Sequence, residues 1–551
     1  MTETKVTSSD APASGPLSGE RFEHIVRRRT ALVALVLGVI VLVVLLVIRE
    51  SGPPPPATGA AALVPADALA YVNVSLDRER PAVRQAVDLA ERFPDFPLGA
   101  AAVQTRLGAI LAGGRSVDFS GEIGPWLGNE ASLALLNTAT STAGSLIVLD
   151  VRDPKRARAF LRGQGASAHG SYRGTPLLVY PTGSELAFVS HFLVLGQDSS
   201  VRAAIDVNAG SSRSLAGSAV YQRAAAGEPS GRVLDAYASL AGVRRVLTAQ
   251  GGVLGALGAL LYQPALQGVA ISLSPASGGA RVQVHSALDP GLARVSAPAT
   301  SAFKPTLQDV MPTGSILMLD VVGLDRVAPS VLNAGAAAGV AGGIGPLLSR
   351  LGSALVSEGV NVHDLTSIFS AETAVAIVPH ASSPTLVIVA RTAHEAQVRT
   401  ELAQLQIPLV QLFTPPNAPA GKAPAFNDRT VAGIPVHQLA ISSGLELDYA
   451  VFRGLVVIST SLEGVAAVAQ HSHSLGSDPG FRFALGARPA RLTSLVYLDF
   501  GRLLALGQQT GLTRSTRIKA LLGDLEKITS IGLSSTRSPG QSTAQLSIRV
   551  P

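Results

Sequence analysis

His471-Ser472-His473 is the closest pairing among the ten histidines of the chain. On a strand, residues i and i+2 share a face, so two imidazoles at that spacing could ligate one metal ion. The pair falls in Gln470–Asp478, after a helical stretch, with no H-E-x-x-H and no carboxylate cluster nearby. A solvated loop outweighs a metal centre on that pattern. Nucleophilic hydrolysis has less support, because G-x-S-x-G occurs nowhere, nor does a Walker loop or G-x-G-x-x-G. The complete lack of cysteine removes thiolate catalysis, Cys-bound zinc, Fe–S clusters and disulfides together. No catalytic, cofactor-binding or metal-ligating residue is assigned, and the expectation is a protein that is not an enzyme.

Three polar residues interrupt apolar strand-like runs: Asn73 in Tyr71–Val74, Asp320 in Met318–Val321 and Asp499 in Tyr497–Phe500. A polar residue alternating with apolar ones usually faces solvent or a helix N-terminus. Two carboxylates could also build a shared polar site, but recurrence of similar strands explains them more simply, as fold anchors that find donors. Trp126, the only tryptophan, stands in GPWLGNE and is expected to plug a helix–strand joint rather than mark a ligand mouth.

The elements that must carry these residues begin with an anchor. Ala31–Ile48 is a run of 18 residues without a charged or polar side chain. At 1.5 Å per residue it rises about 27 Å, close to the hydrocarbon thickness, and only a helix satisfies its own backbone there. Arg27, Arg28 and Arg29 precede it, which places residues 1–26 in the cytoplasm as a disordered tail and the bulk of the chain outside. A cleaved signal peptide is the weaker alternative: its apolar core is shorter and its small-residue cleavage site lies closer. The anchor spans 27–50, and a Pro-rich spacer over 51–62 follows.

The 551 residues are 47% hydrophobic and 15% charged, which excludes a disordered or collagen-like chain and suits several globular cores. The net charge of +6 is small for that length, and basic residues are interleaved with acids. No basic stripe with stacking aromatics is present, so nucleic acid is not an expected partner.

The second half can be laid over the first in order. Leu63–Asp77 answers to Val310–Asp325, each with a Pro, a small turn, a strand and Leu-Asp; Arg106-Leu107-Gly108 recurs as Arg350-Leu351-Gly352. Ile123–Leu135 matches Leu365–Ile377 with Glu130 over Glu372, and Ser145–Arg152 matches Pro384–Arg391. Gly174-Thr175-Pro176 matches Gly433-Ile434-Pro435 after a second-half insertion of roughly 20 residues, read as a longer loop. Phe192–Gly196 answers to Gly454–Ile458, and Gln267–Leu273 with Val282–His285 answer to Thr529–Leu533 with Ala544–Ile548.

Strand runs separated by short turns favour antiparallel pairing. Helices are expected over Arg78–Arg92 and Lys155–Gln164, capped by Asp77 and Asp153. The reading is an α+β fold: an N-terminal transmembrane helix, then two tandem, homologous halves of antiparallel sheet with packed helices. Repeat 1 covers 63–288, repeat 2 covers 306–551, and Asp289–Lys304 within 289–305 reads as the linker. Whether the halves share one sheet is left open. Two charge-free stretches, Thr248–Ala280 and Val327–Ser349, read as small-residue helices packed on sheet rather than further spans.

The VPADALAYV start, Gly124–Leu135 (GPWLGNEASLAL) and Leu495–Leu504 (LVYLDFGRLL) resemble the bacterial family known as domain of unknown function 3352. The resemblance covers nearly the whole chain and implies a membrane anchor with a long extracytoplasmic region; it implies no activity and no catalytic positions. The expected function is therefore a non-catalytic binding or scaffolding module of the cell envelope. Its partners would be the lipid bilayer, through Ala31–Ile48, and an unknown envelope protein or apolar ligand. A carrier or sensor of an apolar ligand such as a lipid is the alternative, its cavity lined by Leu332–Leu348 and Val253–Leu261. An unrecognised envelope hydrolase is third.

Overall fold

The computed structural model describes residues 56–136, 144–247, 264–296, 301–324, 368–379, 384–414, 424–442, 445–470, 473–509, 511 and 516–551. Ala31–Ile48, Val253–Leu261, Leu332–Leu348, Arg350-Leu351-Gly352 and His471 lie outside them. Among the described residues no helix is long and apolar enough to cross a membrane.

Short runs of Val, Leu and Ile bounded by Gly, Pro and Asp form the strands, as β-branched and apolar side chains fit a pleated surface. In chain order the first half supplies β1 (Ala70–Ser75), α1 (Pro81–Ala90), α2 (Phe96–Leu111), β2 (Leu127–Leu136), β3 (Gly144–Val151) and α3 (Pro154–Gly163). It continues with β4 (Ser167–Tyr172), β5 (Thr175–Val179), β6 (Glu185–Val189), β7 (Phe192–Gly196), α4 (Asp198–Asn208) and α5 (Ala219–Ala225). β8 (Leu234–Ser239), β9 (Leu266–Ala276) and β10 (Gly279–Leu288) complete it, and α6 (Pro290–Ser296) follows. The second half brings β11 (Leu317–Val322), β12 (Glu372–Val378), β13 (Thr385–Arg391), α7 (Glu395–Gln404), α8 (Gln406–Phe413) and β14 (Phe426–Val431). Then come β15 (Ile434–Ser442), β16 (Leu445–Phe452), β17 (Leu455–Ser459), α9 (Leu462–Gln470) and α10 (Pro479–Leu485). The chain ends with β18 (Ser494–Asp499), α11 (Phe500–Gln509), α12 (Thr516–Leu525), β19 (Ser530–Ser538) and β20 (Gln541–Arg549).

Among the described residues every strand pairing is antiparallel. The first half runs β4-β5-β6-β7-β3-β2-β1-β8-β9-β10 across the sheet. The second runs β14-β15-β16-β17-β13-β12-β11-β18-β19-β20, the same order. β10 pairs with β20 from Gly279↔Arg549 to Ala287↔Gln541, so the 20 strands form one continuous sheet. The fold class is α+β.

Turn geometry recurs with the order. Arg173-Gly174 and Ala432-Gly433 have φ of 47°, 77° and 51°, 77°, the double left-handed conformation that closes a two-residue hairpin. Arg453-Gly454 does the same between β16 and β17. The pairing also corrects two alignments. Leu135 and Ile377 hold the same place opposite β1 and β11, so Ser145 answers to Leu386, not Pro384. A two-residue slip keeps every side chain on its face, so hydrophobic alternation cannot see it. Phe192 likewise answers to Leu455 rather than Gly454, because both open the strand after a two-residue turn.

Both faces of the sheet are covered. In the first half Tyr71, Ala134, Val148 and Val194 pack against Val201, Ala204 and Ile205 of α4. On the opposite face Val72, Val74, Leu133 and Leu193 meet Trp126, Ile123 and Ala157 and Leu161 of α3. Helix starts follow elementary capping. Asp153 accepts from the backbone N–H of Lys155 and Arg156, with Pro154 in the first turn. Asp77 does not cap the helix that follows it, contrary to expectation. It accepts from Glu79 N–H instead, and the helix starts at Pro81, whose fixed φ suits the first helical position.

The second-half insertion is not all loop, since α8 occupies Gln406–Phe413, with Leu409 packed against the α7 cluster. The segment between the halves holds α6, whose first amides at Gly291 and Leu292 donate to Asp289.

Candidate functional site

Asn73 and Asp320 hold the same position in β1 and β11, and both are fully buried rather than facing solvent. Cover on both faces leaves no solvent side for a central strand. Asn73 satisfies itself: its Nδ2 donates to Ala57 O at 3.0 Å and its Oδ1 accepts from Ser132 Oγ at 2.6 Å. Beside it on β8, Asp235 contacts Arg232, which also reaches Glu228 at 3.2 Å. Burial raises the carboxyls of both Asp235 and Glu228 above the usual carboxylate range.

No donor reaches either oxygen of Asp320. Its neighbour is the Glu372 carboxylate, a like charge that disfavours ionisation of Asp320. Burial pushes Asp320 up to about 8, with the nearby Glu372 charge adding to the effect. Glu372 itself accepts from Leu307 N–H at 2.9 Å and Thr306 Oγ1 at 2.6 Å, and pairs with Arg391 Nε at 3.6 Å. It thereby caps the short turn Leu307–Asp309, as an anion at a helix start does. Glu130 is the first-half counterpart, bonded to the Gly59 and Ala60 backbone. Where Glu372 has Arg391, the first half places Asp150 at that register position. Burial foremost, with the Asp150 charge adding, pushes Glu130 up to about 7.

A second matched level lies further out. Glu185 on β6 and Asp448 on β16 stand opposite Gly196 and Ser459, and both are buried. Burial raises both; Asp448 reaches about 7, with Glu446 beside it. These carboxyls line neither the apolar groove nor the polar cavity described below. Among the described residues no group of three His, Asp or Glu could hold a metal ion. Asp499 caps α11, accepting from Arg502 N–H at 2.9 Å. Trp126 is 1% exposed and packs on Phe160 of α3 with ring centroids 5.8 Å apart, the joint-plugging role expected of it.

The concave feature is an apolar groove of about 440 Å³, within the range of small-ligand sites. α1 builds one wall with Ala86, Leu89 and Ala90, while its Val83 anchors it on Val233 and Leu273. Phe93 and Phe96 form the corner between α1 and α2, and Leu273 and Ala280 of β9 and β10 form the floor. The far end comes from the second half. Asp95 N–H donates to Asp524 Oδ1 of α12 at 3.1 Å, and Arg92 Nη1 donates to Val550 O at 2.8 Å. The second half thus contributes one lining residue, Asp524, and closes the groove at that end. No sequence signal marked it, and the residues expected to line a cavity, Val253–Leu261 and Leu332–Leu348, lie outside the described ones. A second cavity of about 530 Å³ near Asp67, Asp206 and Arg213 is polar, and Asp206 is already engaged by Arg173 and Tyr172.

Two crystal structures bear a slight likeness to the chain. Crystal form I of TP0453 is 10% identical over 46% of this chain and 88% of that one, with a TM-score of 0.25. Crystal form III is 9% identical over 46% and 90%, with a TM-score of 0.26. No argument rests on similarity so low. No curated protein matches the chain. Residues 30–550 match the family model described as "Protein of unknown function (DUF3352)", in agreement with the VPADALAYV and GPWLGNEASLAL motifs, and the chain belongs to that family.

Proposed function

We propose that this is a single-pass envelope protein whose extracytoplasmic region binds an apolar ligand such as a lipid, as a carrier or sensor, without converting it. The carrying observation is the groove: nine of its 12 lining residues are Ala, Val, Leu, Phe or Pro, and it has the volume of a small-ligand site. The anchor rests on Ala31–Ile48, with Arg27–Arg29 placing the N-terminus in the cytoplasm. Two tandem homologous halves, the product of one duplication, account for the repeated ten-strand order and the matched Glu130/Glu372 and Glu185/Asp448 positions. The non-catalytic reading is supported by the burial of Glu130, Glu185, Asp320 and Asp448, none of which lines the groove or the polar cavity.

A scaffolding role is the second reading, favoured by the continuous β10–β20 junction, which makes the two halves one platform. Native mass spectrometry separates the two. The full chain, taken from its own membrane into polymer nanodiscs and released in the gas phase, should retain one added mass per chain. Filling the groove with Leu89→Trp should remove it. A wild-type chain with no retained adduct would overturn the carrier reading in favour of the scaffold.

A further inference from the structure

The groove's chemistry is asymmetric. Its walls are apolar, yet its end holds two carboxylates, Asp95 and Asp524, from opposite halves of the chain. They are joined through the Asp95 backbone, whose N–H donates to Asp524 Oδ1, and this contact holds the Asp524 carboxylate at the rim where Asp95 stands. Asp95 stands before α2 but spends no side-chain bond on capping it. Among the described residues neither carboxylate takes part in an ion pair. Elsewhere in the molecule Asp153, Asp198, Asp206, Asp235 and Asp499 each have an arginine. Arg92, at the same end, spends its guanidinium on the Val550 carbonyl and forms no ion pair with either carboxylate. Two like charges at one rim without an ion-pair partner favour a bound cation, and an adjoining apolar wall favours a chain attached to it.

We infer that the groove takes a single-chain membrane amphiphile with a positively charged amine or ammonium head, its chain along α1 and its head between Asp95 and Asp524. The inference rests on the apolar-ligand reading above and adds the head-group class. An anionic head is disfavoured at the same place by repulsion from both carboxylates. A neutral head gains nothing there beyond the burial of its chain.

Photocrosslinking on the full chain in zwitterionic nanodiscs tests it. Three probes share a 12-carbon diazirine chain and carry a trimethylammonium, a maltoside or a sulfate head. Labelled peptides are mapped by mass spectrometry to residues 81–99 and 265–281. The ammonium probe should half-saturate the groove at about a tenfold lower concentration than the maltoside probe, as two partly exposed ion pairs allow. The sulfate probe should be weakest. Asp95→Asn with Asp524→Asn should bring the ammonium probe to the maltoside value while leaving maltoside labelling intact, which shows that the groove is still formed. Raising salt from 0.05 to 0.5 M should shrink the wild-type preference, since rim charges are screened. Equal labelling by all three heads, or a preference that survives the double variant, overturns the head-group assignment and leaves an apolar site. Failure of all three probes to label the groove overturns the apolar-ligand reading itself.

Discussion

Replacing Asp320 with Asn should remove a large pH-dependent cost from the second half. Asp320 is fully buried, no donor reaches its oxygens, and its neighbour is the Glu372 carboxylate. Its carboxyl is pushed from an ordinary value of 3.8 up to about 8. Because the folded value lies above the unfolded one, the folded state holds a proton that the unfolded chain releases at neutral pH. The stabilisation is complete below about pH 4 and is lost as pH rises towards 8.

Each pH unit inside that window corresponds to about 1.4 kcal/mol, so this site alone should cost about 2.7 kcal/mol between pH 5 and pH 7. The proton belongs to the Asp320–Glu372 pair, and its loss would set two carboxylates against each other. Asn has no such titration, and its amide adds no negative charge beside Glu372. The first half already uses this solution at Asn73, bonded to Ala57 and Ser132. Urea unfolding of the full-length wild type and variant, followed by circular dichroism at pH 5, 6 and 7, measures the difference. The variant should gain on the wild type by about 2.7 kcal/mol from pH 5 to pH 7, whatever the offset at pH 5. A difference that stays flat across that range refutes the reasoning, since it would mean that Asp320 is already ionised in the folded state at pH 5.

Gly279→Val should weaken the junction between the halves, because a Cβ at Gly279 runs into the Ile548 carbonyl across β10 and β20. We expect a loss of about 1–3 kcal/mol, seen as faster hydrogen exchange in Gly279–Leu288 and Gln541–Arg549 with β1 and β2 unchanged. The lack of cysteine permits a background-free topology test. In intact cells an impermeant maleimide should label Thr182→Cys, in the exposed turn after β5, and leave Ser18→Cys unlabelled until the membrane is opened. Labelling of Ser18→Cys in intact cells would reverse the orientation.

Much of the order was legible in the sequence because its signals are local. A two-residue turn such as Arg173-Gly174 or Ala432-Gly433 announces itself by residue type, as does the Asp153-Pro154 helix start. Glu130 over Glu372 could be matched for the same reason, each standing within a recognisable run. Local signals also set the limit. The period-two alternation of β3 and β13 is unchanged by a two-residue slip, so the match of Ser145 to Pro384 stood until the pairing with β2 and β12 showed Leu386.

What the tertiary structure alone decided is everything that needs two distant segments. Asn73 and Asp320 look like residues on a solvent face, because alternation records one covered face and says nothing of helices packed on the other. The pairing of β10 with β20 joins segments about 260 residues apart whose facing side chains, Gln283 and Gln545 among them, carry no hydrophobic code for each other. The groove gathers Ala86, Phe93, Leu273 and Asp524, ordinary residues singly, and the continuous sheet brings α1 and α12 together at it. The sequence by itself determined the family, the apolar run Ala31–Ile48 and the strand and turn chemistry, since each is encoded within a few neighbouring residues. Burial of a polar atom and the shape of a cavity depend on what the rest of the chain places against them, and that is set only when the chain has folded.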